Sequence, residues 1–573
     1  MRALPVLAGA LVLLSACREE PEPVSVSVDA VTSADPCSTV ILSAATTGAD
    51  VAVTWSVDTL LALDVDGSTA SFVAPAANRP RTVRVTATAE GPDGVATESV
   101  SVDVPAAERP AGWLPGATPG CGPFSDGVAS GDPTTSSVLL WTRIESELSV
   151  DWVVARDPLL ADVVASGTTS ADPERDWTVH VEATGLPAGT RLWYRFTAGS
   201  DGSPLGRTRT APEGVVESFT FAGMSCSSVF SGFFNAYQAL ADEDVDLVVH
   251  VGDYVYDTVD SDETERVTDP LPEVPTNLSE WRQRFRLYLS DPDFRRARAA
   301  HPWVVLWDNH DSDAAPDEAG EGTRQAFREY VPMALPDPAD PTVVHRSLRW
   351  GDLVDLLIVD AHTRIEPEHI LGAAQWTWLQ EELASSTATW RLLGTQKLVS
   401  AFGDPSGGFV GQATDWDDWP QARTDLFAAL GAHDGNLILS GDLHFAIAMD
   451  LVPAPLDEGT PYDPTTGEGA VGVELLASGI TRGNFDESIC GGLCDDEGVA
   501  LIEGIADLIL NANPHQTYLE PIEQGYGVVR VTPDRAEAVL RYFPIRWITD
   551  ESITSEPLVT ERAANRWSRD ASR

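Results

Sequence analysis

Val245-Asp246-Leu247-Val248-Val249-His250-Val251-Gly252-Asp253-Tyr254-Val255-Tyr256 is an almost unbroken apolar run that stops at Gly-Asp. A short continuous apolar segment closed by glycine reads as a strand buried on both faces, the habit of parallel sheets covered by helices. The same grammar recurs along the chain. Residues 219–224 lead into Ser225-Cys226, and 303–306 lead into Trp307-Asp308-Asn309-His310-Asp311. Likewise 354–359 lead into Asp360-Ala361-His362-Thr363-Arg364, and 437–439 into Ser440-Gly441-Asp442-Leu443-His444. Residues 392–395 and 471–477 are two further strands. Amphipathic stretches at 279–300, 373–383, 421–430 and 497–510 predict helices between or after them. Residues 217–548 thus form a layered α/β domain. Open α/β sheets bind ligands beyond the carboxyl ends of their strands, where side chains distant in sequence converge. Taken singly, a buried thiol, a capping aspartate or a satisfied histidine has an ordinary structural explanation. Five strand ends that all carry metal-ligand types point instead to a common site.

Upstream the texture is different. Residues 24–104 alternate apolar and polar positions in short runs such as Val24-Ser25-Val26-Ser27-Val28 and Val51-Ala52-Val53-Thr54-Trp55. Such period-two runs, separated by turn residues, predict an antiparallel Ig-like β-sandwich. Residues 105–123, rich in Pro, Gly and Ala, are a linker. Residues 124–212 predict a second, fibronectin III-like sandwich, with an aromatic strand Arg191-Leu192-Trp193-Tyr194-Arg195-Phe196 after the turn at 185–189. The chain is therefore multidomain, with two all-β modules ahead of the α/β body, and 549–573 is a C-terminal tail.

Composition narrows the function. Of 573 residues, 37 are basic and 88 acidic, a formal net charge of −51. A single lysine, Lys397, stands among the arginines. Nucleic-acid binding rests on a cationic footprint, so general binding of DNA or RNA is excluded as a function. An anionic substrate would need local cations to overcome this field, which directs attention to metal ions.

The amino terminus carries an apolar run from Leu4 to Leu14 that is too short to span a membrane and suits a signal peptide. It ends Leu14-Ser15-Ala16-Cys17, which resembles the bacterial lipobox. The resemblance implies a signal peptide over 1–16, a lipidated Cys17 and a tether over 17–23. The expected location is the bacterial cell envelope, periplasmic or on the outer surface, with a membrane anchor through Cys17. In an oxidising compartment Cys490 and Cys494 are disulfide candidates, while Cys37 and Cys121 either pair with each other or stay unpaired.

The cysteine after the first α/β strand, the GDYVY, WDNHD and SGDLH stretches and the preceding fibronectin-like module resemble the alkaline phosphatase D (PhoD-like) family of metallophosphatases. The similarity runs over about 124–544. It includes the Gln375-Trp376-Thr377-Trp378-Leu379 segment, Trp390-Arg391, the stretch from Trp416 to Arg423, and Ser478-Gly479. The resemblance implies an α/β/β/α fold and a metal-dependent phosphoesterase that hydrolyses phosphate mono- or diesters by in-line attack of a metal-bound hydroxide. It also implies two ions. Cys226, Asp253, Tyr256 and His444 would hold a transition metal, with Fe3+ the family expectation. Asp253 as bridge, with Asn309 and Asp442, would hold Ca2+; Mn2+, Mg2+ or Zn2+ are the other candidates. His310 would assist the leaving oxygen. Arg364 is the candidate phosphate clamp, because the family's Asp-Thr-Arg reads Asp360-Ala361-His362 and puts His362 in the arginine's place. Asn309 stands where close relatives carry aspartate. The partners expected are a phosphate ester and the membrane, with the chain a monomer. A purple acid phosphatase would carry Gly-His-x-His where this chain has Gly441-Asp442-Leu443-His444. A non-catalytic adhesin, the remaining alternative, would have lost ligands. The acidic stretch 257–269 has three readings, a lid, a calcium-attracting loop and solvated surface, of which the last is the foremost.

Overall fold

The structure is a computed structural model that describes residues 23–569, apart from 30, 147, 260–265, 267–272, 313–317, 338, 404–415 and 458. The signal segment, Cys17, nearly all of the tether and most of the acidic stretch lie outside the described residues.

In the first module the strands Ser25–Val28, Thr39–Thr47, Asp64–Asp66 and Thr69–Val73 pack against Ala52–Val57, Arg81–Gly91 and Gly94–Val104. Alternation delivers Leu42, Trp55, Phe72, Val83, Val85 and Val102 to one core between the sheets. A Cys37–Cys121 disulfide fastens the module to the end of the linker. It is also held to the α/β body by Arg79, which is 6% exposed and pairs with buried Asp293 at 2.8 Å.

Six strands position the site: β1 Phe219–Met224, β2 Leu247–Val251, β3 Pro302–Leu306, β4 Val354–Ile358, β5 Trp390–Gly394 and β6 Asn436–Ser440. β1, β2 and β3 run parallel in one large mixed sheet, and β4, β5 and β6 run parallel in a second. Their period-two side chains explain the layering. Leu356, Ile358, Leu392, Leu437 and Leu439 join the core shared with the first sheet. Leu357, Leu393 and Ile438 point the other way, into a core closed by the helices Gly372–Ser385 and Pro420–Leu430. Both faces are apolar because both are covered, which is why these strands read as unbroken hydrophobic runs.

Several expectations are corrected. Residues 279–300 are not one helix but two, Leu278–Leu289 and Pro292–Ala300. Asp291 accepts hydrogen bonds from the Asp293 and Phe294 N–H groups, and Pro292, which has no N–H to donate, starts the second helix. The second β-module is not a free-standing sandwich. Its strands Val128–Gly131, Ser137–Arg143 and Thr178–Thr184 extend the first α/β sheet, with Ser130 and Gly131 in parallel register with Pro302 and Trp303 of β3. The C-terminal segment is no tail either. Leu558–Glu561 pairs with Arg535–Tyr542, and Trp567 is buried with its indole N–H on the Glu474 carbonyl. Buried apolar residues at 558, 559 and 567 draw this segment onto the sheet. The helices Asn235–Leu240, Glu318–Tyr330 and Phe485–Cys490 had no expected counterpart. Cys490 and Cys494 form a disulfide between the last of these and the helix Asp496–Ala512.

Candidate metal centre

The carboxyl ends of β1, β2 and β6 meet. Each ends in a sharp reversal, and the side chains of interest sit on left-handed backbone: Cys226 at φ 57°, Asp253 at φ 54°, Asp442 at φ 73° and His444 at φ 65°. Non-glycine residues adopt this region at a cost of about 1–3 kcal/mol and keep it only where the surroundings over-determine it. Two glycines make the approach possible. A Cβ on Gly252 (φ 127°) would lie 2.8 Å from the Asp308 Cβ, and one on Gly441 would lie 2.8 Å from the Ser225 Cβ. The turns are tied by backbone bonds from Cys226 N–H to Gly252 O, from Ser227 N–H to Asp253 O, and from Gly479 N–H to His444 O.

Cys226 Sγ, an Asp253 carboxylate oxygen and a His444 ring nitrogen lie within 4.8 Å of one another. The Tyr256 hydroxyl donates to Asp253 Oδ2 at 2.9 Å, and Cys226 Sγ is 3.8 Å from the same oxygen. His444 Nδ1 is held at 3.1 Å from the Gly483 carbonyl, which leaves Nε2 for a cation, the usual outer bracing of a metal-binding imidazole. Burial, reinforced by the Asp253 carboxylate, pushes the Cys226 thiol and the Tyr256 phenol well above their ordinary pKa values. Burial also pushes Asp253 upward, but His310, Lys397 and the Tyr256 hydroxyl outweigh it and hold the carboxyl below the usual range. Sulfur, phenol, carboxylate and imidazole together fit a transition metal, whose charge is what would turn a buried thiol and phenol into anionic ligands.

His310 stands beside this cluster. Its ring stacks on Tyr256 at 4.2 Å between centroids, its Nδ1 lies 2.7 Å from Asp257 Oδ1, and its backbone N–H donates to Asp253 Oδ1 at 3.3 Å. Burial would lower the His310 pKa, but Asp253 and Asp257 raise it to about 9. Arg482 lies over the other ring of the pair, 5.2 Å from the Tyr256 centroid.

The residues expected to hold a second ion are arranged differently. Asn309 Oδ1 and Asp442 Oδ1 both face the Lys397 ammonium, at 3.4 and 2.7 Å, and Asp308 Oδ2 joins them at 3.0 Å. Asp253 makes its hydrogen bonds elsewhere, with Oδ1 on the His310 N–H and Oδ2 on the Tyr256 hydroxyl. This donor set does not fit a second metal ion as it stands. His362 lies at its edge, with Nδ1 3.9 Å from Asp308 and Nε2 2.8 Å from the Ser312 carbonyl. Arg364 is not brought to the centre: Thr342 and Asp340 hold its guanidinium at 2.6 and 3.3 Å. Sequence reasoning passed over Lys397, Arg482 and Asp257 as site residues. The signal for Lys397 was its uniqueness in the chain. Asp257 directly follows the GDYVY stretch, and Arg482 lies just past Ser478-Gly479. Asp311 of WDNHD is structural, accepting from the backbone N–H groups of Tyr254, Val255 and Asp308.

Two facing sheets flanked by helices, with a buried thiol, carboxylate, phenol and imidazole at converging strand ends, define a metal-dependent hydrolase of the α/β/β/α kind. Comparison with known proteins gives the family. The PhoD-like phosphatase profile matches residues 221–540, and that of the PhoD-like phosphatase N-terminal domain matches 110–212. Alkaline phosphatase D of Bacillus subtilis (strain 168) is 30% identical over 478 residues, 74% of this chain and 78% of that protein. A solved structure of PhoD aligns with a TM-score of 0.67 at 27% identity, covering 79% of this chain and 92% of that one. The chain belongs to the PhoD-like phosphatase family and is a phosphoric ester hydrolase of the alkaline phosphatase D type. Membership in this metallophosphatase family implies metal ions and a phosphate ester substrate, and it sets aside the purple acid phosphatase and adhesin alternatives.

Proposed function

We propose that this phosphatase works through a cation held by Cys226, Asp253, Tyr256 and His444, with iron(III) the ion that best suits one sulfur, one phenol oxygen, one carboxylate and one imidazole. When bound, such an ion supplies positive charge to the phosphate and activates a water as nucleophile near neutral pH. The protein's own groups divide the remaining work. His310, kept protonated by Asp253 and Asp257, delivers a proton from Nε2 to the leaving oxygen. Tyr256 stacks beneath His310 and fixes the plane of its ring. Arg482, whose guanidinium lies over the Tyr256 ring, takes the clamp role first given to Arg364 through the positive charge it brings beside the cluster. Phosphate monoesters and diesters are both substrates in this reading.

The carrying observation is the convergence of Cys226, Asp253 and His444 from three strand ends. Asp253→Ala is expected to remove several kcal/mol of charge stabilisation, about 10³-fold in the rate of release of nitrophenol from p-nitrophenyl phosphate and bis(p-nitrophenyl) phosphate. Undiminished turnover in that variant rejects the proposal.

The sequence at the amino terminus supports an exported lipoprotein, anchored by acyl chains on Cys17 in the bacterial cell envelope, and we propose that it acts as a monomer. In this reading the Ig-like and fibronectin-like modules stand between the anchor and the catalytic body. Mass spectrometry of the mature amino terminus tests the lipidation.

A further inference from the structure

We propose that Lys397 takes the place of the second cation, so that the centre operates with one bound metal ion and one ammonium built into the chain. The inference rests on the reading of the Cys226 cluster as a metal site.

The geometry is that of a cation site already filled. The Lys397 side chain is 4% exposed, and its Nζ sits among Asp442 Oδ1 at 2.7 Å, Asp308 Oδ2 at 3.0 Å and Asn309 Oδ1 at 3.4 Å. These oxygens come from the end of β3 in the first sheet and the end of β6 in the second, and Lys397 follows β5, the neighbour of β6. The lysine is aimed there by its neighbour. Gln396 donates from Nε2 to the Trp307 carbonyl and to Asp360, accepts from the Ala361 N–H, and receives the Gly441 N–H on its backbone carbonyl. Backbone on both sides of the gap is thereby fixed, and the following side chain can only enter between Asp308 and Asp442.

Charge and size argue the same way. Two carboxylates and an amide form an oxygen-rich cage of the type hard divalent cations take, but such ions need six to eight oxygen ligands at about 2.3–2.6 Å for calcium. Here one oxygen of each group is turned to the ammonium, and a dication placed against it would meet direct repulsion. Asp253 makes no hydrogen bond to the ammonium: its two oxygens are engaged by the His310 N–H, the Tyr256 hydroxyl and the Cys226 thiol. The residue type is informative too: the chain otherwise carries its positive charge on arginine. A compact ammonium is the cationic side chain that substitutes for an ion, whereas a planar guanidinium does not fit a cage of converging oxygens.

Lys397 on this account is a positioning residue. Its donors are engaged by Asp308, Asp442 and Asn309, so it acts through them, neutralising and orienting the oxygens beside the catalytic cation. Its charge is fixed by covalent attachment and does not depend on free calcium.

The test is metal stoichiometry on the full chain, reconstituted with iron(III) and then dialysed against calcium chloride, read by elemental analysis and by thermal melting. Wild type is expected to retain about one iron and no calcium per chain, to show no calcium-dependent shift in Tm, and to keep its hydrolytic rate in a calcium chelator. Lys397→Met, which keeps length and loses charge, is expected to take up about one calcium per chain and to gain a calcium-dependent rise in Tm. Wild type that retains stoichiometric calcium beside iron overturns the inference, as does a folded Lys397→Met protein that binds none. Should that variant not fold, Lys397→Gln serves in its place; should neither fold, the wild-type stoichiometry decides alone. Wild type that binds no metal and hydrolyses no ester overturns the phosphoesterase reading itself, a result distinct from calcium retention.

Discussion

The two halves of the centre solve the same electrostatic problem differently. On one side Cys226, Asp253, Tyr256 and His444 gather acidic or metal-seeking groups, with the His310 ring and the Arg482 guanidinium set against Tyr256 at the margin, and burial pushes the thiol and phenol well above their ordinary pKa values. On the other side Asp308, Asn309 and Asp442 each turn one oxygen to the Lys397 ammonium, which is the cation built in among them. The first half offers a donor set that a metal ion would fit; the second already holds a cation of the chain's own. Buried charges persist only when paired, and the chain supplies a partner in one place and leaves it to solution in the other.

The contrast can be broken at its open half first. Cys226→Ser removes the soft donor and is expected to abolish stoichiometric iron and the visible thiolate colour, lowering kcat/KM by about 10³-fold if the ion supplies several kcal/mol. A serine variant that keeps its iron, colour and rate would show that the thiol is only packing. His310→Gln comes next, with kcat expected to fall about 10²-fold as general-acid assistance is lost, most for esters with poor leaving groups. Equal losses for nitrophenyl and alkyl esters would show that His310 positions and does not protonate. Asp257→Asn sharpens the same point through pH. The acid form of His310 persists up to about pH 9 because of Asp253 and Asp257, so removal of one carboxylate lowers that pKa and moves the alkaline limb of the kcat profile to lower pH. An unmoved limb assigns it to another group. The smallest effect is expected for Arg364→Ala, whose guanidinium is engaged by Asp340 and Thr342; kcat/KM should change by no more than about twofold, in the range of exposed ion pairs. A large loss there would return the clamp to Arg364.

Much of the catalytic fold was legible because parallel strands covered on both faces must be apolar throughout, and the chain turns polar only where each strand ends. That signal located β1 to β6 and placed Cys226, Asp253, Asn309, Asp442 and His444 at the ends of strands. It could not tell which neighbours each would face. Asn309 and Asp442 do lie together, yet the group between them is Lys397, which sits far away in sequence from both. Arg364 carried the right chemistry on the right strand end, and the loop holding Asp340 and Thr342 captured it. The mixed fate of residues 124–212 has the same origin. Composition marks 124–212 as a β-module, but edge hydrogen bonds carry no residue signature to say that Val128–Gly131 will pair with β3. The C-terminal segment reads as a tail until Leu558, Val559 and Trp567 find a sheet to cover.

By itself the sequence determined the elements, the edge at which the chemistry gathers and the scarcity of positive charge, because period, turn residues and composition are local properties. Only the tertiary structure decided how the acids divide between a metal and a lysine and which arginine stands near the cluster. Those choices depend on close distances between residues as remote in the chain as Cys226 and His444, and packing alone sets them.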